Sequence, residues 1–209
     1  MQIILNNAGK RFSREWIFRN LNYEFTTGKS YAITGPNGSG KSTLLQIISA
    51  SMLLNEGQAK WISNKAVEPD TVHFYISFAA PYLELIEEMT AREFLYFHSR
   101  FKNFIEKFSA SEILDRAGLI HAADKQIRYF SSGMKQRLKL AQAIFSDVPV
   151  ILLDEPCTNL DVSGFNVYYD WINEFCKERL LIVSSNDVNE YKFCDEQLKI
   201  QNFKTQVPH

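Results

Sequence analysis

The segment 35–43, Gly-Pro-Asn-Gly-Ser-Gly-Lys-Ser-Thr, restricts the possible folds of this chain more than any other stretch. Its order of a glycine, four further residues, Gly-Lys and a serine is the pattern of a phosphate-binding loop. The run Ser30–Thr34 predicts a strand before the loop, and the run 42–48 predicts a helix after it. A glycine-rich turn that arose by chance is the alternative, but the strand–loop–helix order favours a phosphate site.

The composition of this loop suits an anion. Its glycines allow the backbone to curl so that N–H groups point inward, and the following helix directs its positive N-terminus to the same place. Lys41 adds a full positive charge for the terminal phosphates, and the Ser42 hydroxyl can ligate Mg²⁺. The candidate nucleotide-binding residues are Gly35, Pro36, Asn37, Gly38, Ser39, Gly40, Lys41, Ser42 and Thr43.

Length and composition indicate one ordinary globular domain. The chain has 209 residues, of which 45% are hydrophobic and 22% charged. The net charge of −1 gives no basic field, so we expect no nucleic-acid partner. The apolar runs are too short to span a membrane, and the N-terminus lacks the features of a signal peptide. The 3 widely spaced cysteines fit neither a disulfide framework nor a zinc site, which favours a reducing cytosol.

The order of predicted elements indicates an α/β core interrupted by helices. Capping-box patterns at Thr90 with Glu93 and at Ser109 with Glu112 predict two helix starts in a helical region, 90–146. Phenylalanines at helical spacing predict one helix face, Phe94, Phe97, Phe101 and Phe104, and we expect core positions for the first three. Strands are predicted at 2–5, 17–25, 30–34, 58–62, 72–78, 150–153 and 180–184, and further helices at 138–144 and 162–176.

Two carboxylates stand directly after the buried run 150–153. Asp154 and Glu155 would lie at the carboxyl end of a strand, where ligands bind in open α/β sheets. Asp154 is placed to hold Mg²⁺, directly or through water, and Glu155 is placed to orient or deprotonate the attacking water. A strand that ends in a simple acidic turn is the alternative, but together with the phosphate loop the pair predicts an ATP site.

These motifs together resemble the ATP-binding cassette (ABC) family, the nucleotide-binding subunits of membrane transporters and their soluble relatives. The most specific similarity is the segment 129–137, Tyr-Phe-Ser-Ser-Gly-Met-Lys-Gln-Arg, which resembles the family signature with Ser132 in place of the usual first glycine. The segment 156–161 is similar to the family's D-loop. Phe12 stands where the family places an aromatic residue that stacks on adenine, although a plain core phenylalanine is the alternative.

The resemblance implies a fold and an assembly. The expected fold class is α/β, a P-loop NTPase (RecA-like) core with an antiparallel β subdomain and an inserted α-helical subdomain. The expected domain is 1–209, with a core at about 1–77 and 136–209 and a helical subdomain at about 78–135. Ser131, Ser132 and Gly133 would close over ATP held by a second cassette, identical or different, although an ordinary serine N-cap is the alternative.

Two polar residues that the family uses are missing. Ala79 or Ala80 stands where a glutamine is usual, and Asn186 stands at the position of a switch histidine. Asn186 can donate a hydrogen bond to the γ-phosphate, but it cannot exchange a proton near neutral pH as a histidine does. We predict a slow but active ATPase with Glu155, Lys41 and Asn186 as catalytic residues. The alternative is a chain that binds ATP as a switch and hardly turns it over.

The resemblance also implies a partner. The stretch 82–89 is the predicted docking surface for a separate transmembrane permease, which would place this chain in the cytoplasm, peripheral on the cytoplasmic face of a membrane. The segment 131–137 resembles exporter-type cassettes, which favours export. The alternative is a soluble ABC-type ATPase that acts as a conformational switch in assembly, without a membrane partner.

Overall fold

The computed structural model describes residues 1–105 and 108–204, and the structural statements below concern these residues. The expected domain 1–209 includes residues 106–107 and 205–209, which lie outside the described part. The described residues form an antiparallel sheet, a parallel sheet and a set of helices.

All strands of the antiparallel sheet precede the inserted helices in the sequence. Its strand order is β2-β1-β4-β5, and β1 pairs with β2 on one side and with β4 on the other. Ile3 and Leu5 on β1 are fully buried at alternate positions, as expected for a sheet with one face on the core. The strands are β1 (Gln2–Phe12), β2 (Glu15–Thr26), β4 (Glu56–Ile62) and β5 (Ala66–Val67).

The second sheet is parallel and carries the candidate site at its carboxyl edge. Its strand order is β6-β7-β8-β3-β9, and each neighbouring pair is parallel. Every residue of β7 and β8 is buried, which explains why both appear in the sequence as continuous apolar runs. The strands are β3 (Ser30–Thr34), β6 (Ile76–Ala79), β7 (Val150–Asp154), β8 (Leu180–Ser185) and β9 (Glu196–Lys199).

The helices connect the parallel strands and form the insertion. The predicted capping boxes are confirmed, because the Thr90 and Ser109 side chains accept from the N–H groups of Glu93 and Glu112 and both glutamates bond back. Among the described residues, no helix is both long and apolar enough to cross a membrane. The helices are α1 (Lys41–Ile48), α2 (Ala91–Ser99), α3 (Ala110–Arg116), α4 (Ser132–Ile144), α5 (Val162–Phe175) and α6 (Val188–Tyr191).

Alternate residues of the parallel sheet pack into two different hydrophobic clusters. Val150 and Leu152 of β7 face the cluster that contains α1 and the antiparallel sheet. Ile151 and Leu153 face the cluster that contains α2, α3, α4 and α5. The twofold side-chain period of a strand therefore ties the sheet to both halves of the molecule.

Two expectations from the sequence are wrong. The region 72–78 is not one strand, because Pro69–Phe74 forms a 3₁₀ helix and β6 begins only at Ile76. Phe97 and Phe101 are not core residues, since they are 40% and 67% exposed, whereas Phe94 is 7% exposed. The four phenylalanines do not form one helix face, because α2 ends at Ser99 and both Phe101 and Phe104 lie beyond it. Phe97 is on α2 but does not belong to the hydrophobic cluster that Phe94 joins.

Candidate active site

Two glycines shape the loop between β3 and α1. Gly40, immediately before α1, has φ 105°, and a Cβ there would lie 2.2 Å from Ile17 Cγ2 on β2. A Cβ on Gly35 would lie 2.6 Å from Ser39 Oγ. Only glycine combines this backbone conformation with such close approaches. The loop is therefore compact and packs directly against the antiparallel sheet.

Lys41 begins α1, and its side chain folds back over the loop. Its Nζ donates to the carbonyl oxygens of Gly35 at 2.9 Å and Pro36 at 3.3 Å. Lys41 is only 5% exposed, so its charge lies inside the loop. The Ser39 hydroxyl is buried and has no hydrogen-bond partner among the described residues. A buried positive charge beside an unpaired hydroxyl and a helix N-terminus suits a bound anion.

A cleft of about 210 Å³ opens beside this loop. It brings Glu155, from the end of β7, together with residues of the predicted phosphate loop. Ile17 also lines it, and the sequence analysis did not identify this residue, because an apolar residue within a strand carries no local sign of facing a ligand. The lining residues are Ile17, Asn37, Gly38, Gly40, Lys41, Ser42, Thr43 and Glu155.

Asp154 is the last residue of β7 and is 2% exposed. Its Oδ1 is buried without a hydrogen-bond partner among the described residues. Burial raises the pKa of Asp154, while the Ser42 and Ser184 hydroxyls and the Lys41 ammonium lower it. The unpaired carboxylate oxygen of Asp154 and the Ser42 hydroxyl are both hard oxygen donors. The two residues therefore fit Mg²⁺.

Glu155 follows in a left-handed backbone conformation, with φ 42°. Its N–H donates to the Ser184 carbonyl at 2.8 Å, and its own carbonyl accepts from the Thr158 N–H at 3.2 Å. Residues other than glycine rarely adopt this conformation, and surrounding contacts must hold it. The turn places the Glu155 side chain on the wall of the cleft.

Asn186 lies in the loop after β8 and contacts the phosphate loop. Its Nδ2 donates to Asn37 Oδ1 at 2.9 Å. Both side chains are exposed, so this amide pair lies at the open side of the cleft. The structure therefore brings Asn186 to the predicted phosphate site, although the two residues are far apart in the sequence.

The predicted signature residues lie at the exposed start of α4. Ser131 is the N-cap, and its Oγ accepts from the Met134 N–H at 3.2 Å, so the capping alternative describes its contact within this chain. Ser131 and Ser132 are exposed, and neither they nor Gly133 line the cleft. The exposed Ser131 and Ser132 are therefore accessible to another molecule.

The same helix start is attached to the segment 156–161. A Cβ on Gly133 would lie 2.9 Å from the Asn159 carbonyl oxygen. The buried Gln136 side chain donates to the Pro156 carbonyl at 2.7 Å. Because Pro156 directly follows Glu155, the position of α4 is linked to the turn that carries this carboxylate.

Phe12 is at the end of β1 and is 47% exposed. It is therefore not the core residue that the sequence left open as an alternative. The Lys10 ammonium lies 5.3 Å from the centroid of its ring. Phe12 does not line the cleft itself, but it belongs to the same sheet as Ile17, which does.

No amide side chain occupies the position of the missing glutamine. Ala79 and Ala80 are both buried, and the Lys139 ammonium donates to the carbonyls of Ala80 at 3.3 Å and Pro81 at 2.8 Å. Tyr82 lies two residues after Ala80 and is 46% exposed. Burial raises the pKa of Tyr82, the Asp154 carboxylate raises it further, and the Gln46 side chain lowers it.

Comparison with known proteins points to one family. The family model described as ABC transporter matches residues 18–158. YybJ of Bacillus subtilis (strain 168), named an uncharacterized ABC transporter ATP-binding protein, is 30% identical over 207 residues, covering 94% of this chain and 91% of that protein. YxlF of the same strain, named likewise, is 29% identical over 197 residues, covering 92% of this chain. The chain spans 65% of the length of YxlF.

A solved cassette of the same kind shows the same fold. The dimeric structure of MJ0796, described as a bacterial ABC transporter cassette, superposes with a TM-score of 0.80 at 26% identity, over 95% of this chain and 94% of that one. A dimeric post-hydrolysis state of MJ0796 bound to ADP and phosphate superposes with a TM-score of 0.76 at 27% identity, over 95% of this chain and 94% of that one. The predicted α/β fold is thereby confirmed.

Proposed function

Because this chain belongs to the ABC transporter family and is an ATPase domain of that family, we propose that it is the ATP-hydrolysing subunit of a transporter with a separate membrane-spanning part. The observation that carries the proposal is the cleft in which the phosphate loop meets Glu155. Cassettes of this family bind ATP or ADP, as the ADP-bound relative shows.

The phosphate loop and α1 would bind the triphosphate. The loop N–H groups and the helix N-terminus supply positive potential, and Lys41 would exchange its two carbonyl acceptors for phosphate oxygens. Ser42 and Asp154 would hold Mg²⁺, which neutralises charge on the phosphates when bound. Phe12 would stack on the adenine at the rim of the antiparallel sheet.

Glu155 would act on the attacking water. Glu155 lines the cleft together with the phosphate loop, and its carboxylate would orient the water there and accept its proton. Asn186, already bonded to Asn37 of the loop, would donate its amide N–H to the γ-phosphate. Since an amide cannot take up the proton, Glu155 carries the proton transfer alone, and we propose that hydrolysis is slow.

Phosphate release from ATP tests this function. We expect the wild-type chain to release phosphate slowly, and the Glu155→Gln variant to lose at least about 100-fold of that rate, as is typical on removal of a general base. Glu178→Gln, which changes an exposed glutamate outside the cleft, should keep the wild-type rate. Equal rates for wild type and Glu155→Gln would contradict the ATPase and leave an ATP-binding switch.

The membrane partner would dock beside the segment 82–89. A groove of about 470 Å³ lies between this segment and α4, and Leu83 lines it. The same segment exposes Tyr82, Leu83 and Ile86 at 46%, 37% and 39%. Exposed apolar side chains grouped around a groove are typical of partner surfaces. This docking would hold the chain at the cytoplasmic face of the membrane, and the exporter-like segment 131–137 supports export as the direction.

Co-purification from detergent-solubilised native membranes tests the docking surface. A Leu83→Ser/Ile86→Ser variant should lose the membrane protein that accompanies the wild-type chain, while its affinity for ATP stays unchanged. Leu53→Ser is the matched control, because Leu53 is 78% exposed but lies outside the groove. If the wild-type chain brings no membrane protein with it, the soluble assembly-type ATPase becomes the better hypothesis.

A further inference from the structure

A carboxylate on α6 is buried and is not used by the mechanism above. Glu190 is 5% exposed. One of its oxygens, Oε1, accepts from the Cys157 N–H at 2.9 Å. The other, Oε2, is buried without a hydrogen-bond partner among the described residues. Burying a carboxylate costs free energy unless it is paired or hydrogen-bonded. The contacts of Glu190 therefore indicate what it does in the fold.

The bond from Cys157 reaches the turn that carries Glu155. Cys157 is two residues beyond Glu155, and the other side of the turn is attached to β8 through the Glu155 N–H and the Ser184 carbonyl at 2.8 Å. Glu155 has the left-handed φ of 42°, a conformation that a non-glycine residue keeps only when its surroundings hold it. The turn is thus held at one end by a strand and at the other by Glu190.

Glu190 is also fixed to the segment that presents Asn186. Its N–H donates to the Asp187 carbonyl at 3.0 Å, and its own carbonyl accepts from the buried Tyr168 hydroxyl at 2.8 Å. Glu190 therefore joins two segments. Its side chain bonds to the turn that carries Glu155, and its backbone bonds to the loop that carries Asn186. Both residues contact the same cleft region, through its wall and through Asn37.

We propose that Glu190 is a positioning residue for Glu155, and that its carboxylate keeps the turn after β7 in register with the loop after β8. Glu190 does not line the cleft, and the contact assigned to this role is the bond from the Cys157 N–H. The inference rests on the proposed function, because it assigns Glu155 as the group that acts on water. A displacement of such a group by about 1 Å can cost about 100-fold in rate.

Two substitutions of similar length separate an acceptor from a mere space-filler. Glu190→Gln retains an oxygen that can accept from the Cys157 N–H, whereas Glu190→Met fills similar space without one. We expect Glu190→Met to lower the kcat of ATP hydrolysis by about 10- to 100-fold while the KM for ATP changes little. Glu190→Gln should recover most of the wild-type kcat. The exposed Glu178→Met is the matched control.

Amide hydrogen exchange across 155–158 reads out the turn without any hydrolysis. Exchange should accelerate in Glu190→Met and stay near wild type in Glu190→Gln and Glu178→Met. Wild-type exchange and wild-type kcat in Glu190→Met would overturn the inference, as would a Glu190→Gln variant that is folded but as slow as Glu190→Met. If the wild type shows no hydrolysis that depends on Glu155, the proposed function fails instead, and the exchange result still decides whether Glu190 holds the turn.

Discussion

At the scale of single residues, backbone conformation and neighbouring atoms determine where the phosphate loop requires glycine. Gly40 has φ 105° and would place a Cβ 2.2 Å from Ile17, whereas Gly38 has φ 72° with nothing within 4 Å of a Cβ. Both positions strain an L-residue, but only Gly40 also lacks space. The pattern in the sequence predicts that glycines are needed, and the structure shows that they are needed for two different reasons.

Alanine substitution at the two glycines should therefore give unequal losses of stability. Gly38→Ala should cost about 1 kcal/mol from the left-handed conformation alone. Gly40→Ala should cost about 3 kcal/mol, because overpacking against Ile17 adds to the same strain. Urea unfolding without nucleotide measures both free energies. Equal losses would mean that the contact with Ile17 relaxes at no cost.

Asn186 is a second residue whose chemistry can be changed in place. We expect Asn186→His to raise the kcat of ATP hydrolysis by about tenfold or more, because a histidine can exchange a proton with the reacting groups. The rate should then gain a pH dependence centred near a pKa of about 6.5. Steady-state kinetics from about pH 5.5 to 8 measure both effects.

Asn189→His is the control for that experiment, since it adds the same ring to the same segment, but the Asn189 side chain bonds to Asp187 and not to the phosphate loop. It should leave the rate and its pH dependence unchanged. A faster Asn189→His variant, or an unchanged Asn186→His variant, would contradict the importance of the switch position.

At the scale of elements, α2 and α4 meet at a partly buried histidine. His98 Nε2 lies 2.8 Å from Ser146 Oγ, and its Nδ1 lies 3.1 Å from Gln142 Nε2 on α4. Burial and, to a smaller extent, the nearby Lys102 ammonium lower the pKa of His98 to about 4. The folded chain therefore disfavours the charged ring that the unfolded chain carries below about pH 6.5.

This pairing predicts a loss of stability in acid. The contribution of His98 is fully present above about pH 6.5, where the ring is neutral in both states, and it is lost as pH falls from there toward the folded pKa of about 4. The Tm of the wild type should fall more between about pH 7 and 5 than that of His98→Gln. Parallel Tm curves for the two proteins would show that the pKa of His98 is the same in the folded and unfolded chains.

Elements with a local signal were predicted well from the sequence. β7 and β8 are continuous apolar runs because both faces are covered, and the capping boxes at Thr90 and Ser109 depend on residues three apart. Glu190 could not be found this way. A glutamate in a short polar segment resembles a surface residue, and its burial depends on the distant Cys157.

At the scale of the whole molecule, the exposed start of α4 and the cleft do not meet within one chain. The three signature residues lie outside the cleft lining, while the MJ0796 cassette is dimeric in both of its structures. The sequence predicted the residues of each surface, since each is a short motif. The sequence could not show that the signature residues lie outside the cleft, because their position depends on how the inserted helices pack on the sheet.

We predict an ATP-dependent dimer from this separation. In size-exclusion chromatography with ATP and Mg²⁺, Glu155→Gln should elute as a dimer, because hydrolysis no longer releases the second subunit. Adding Ser132→Glu should abolish the dimer, since a carboxylate at this exposed helix start favours the helix but repels a phosphate. Adding Ser132→Gly instead should preserve it. A dimer that tolerates Ser132→Glu would exclude the signature from the interface.

Lys41 adds a final consequence for experiments on this site. Its ammonium donates to two carbonyl oxygens of its own loop, so the side chain supports the shape of the loop as well as supplying positive charge. The same charge would serve as the counter-charge for phosphate. Truncating it would loosen the cradle as well as remove the charge, so weak binding by such a variant would report both losses at once.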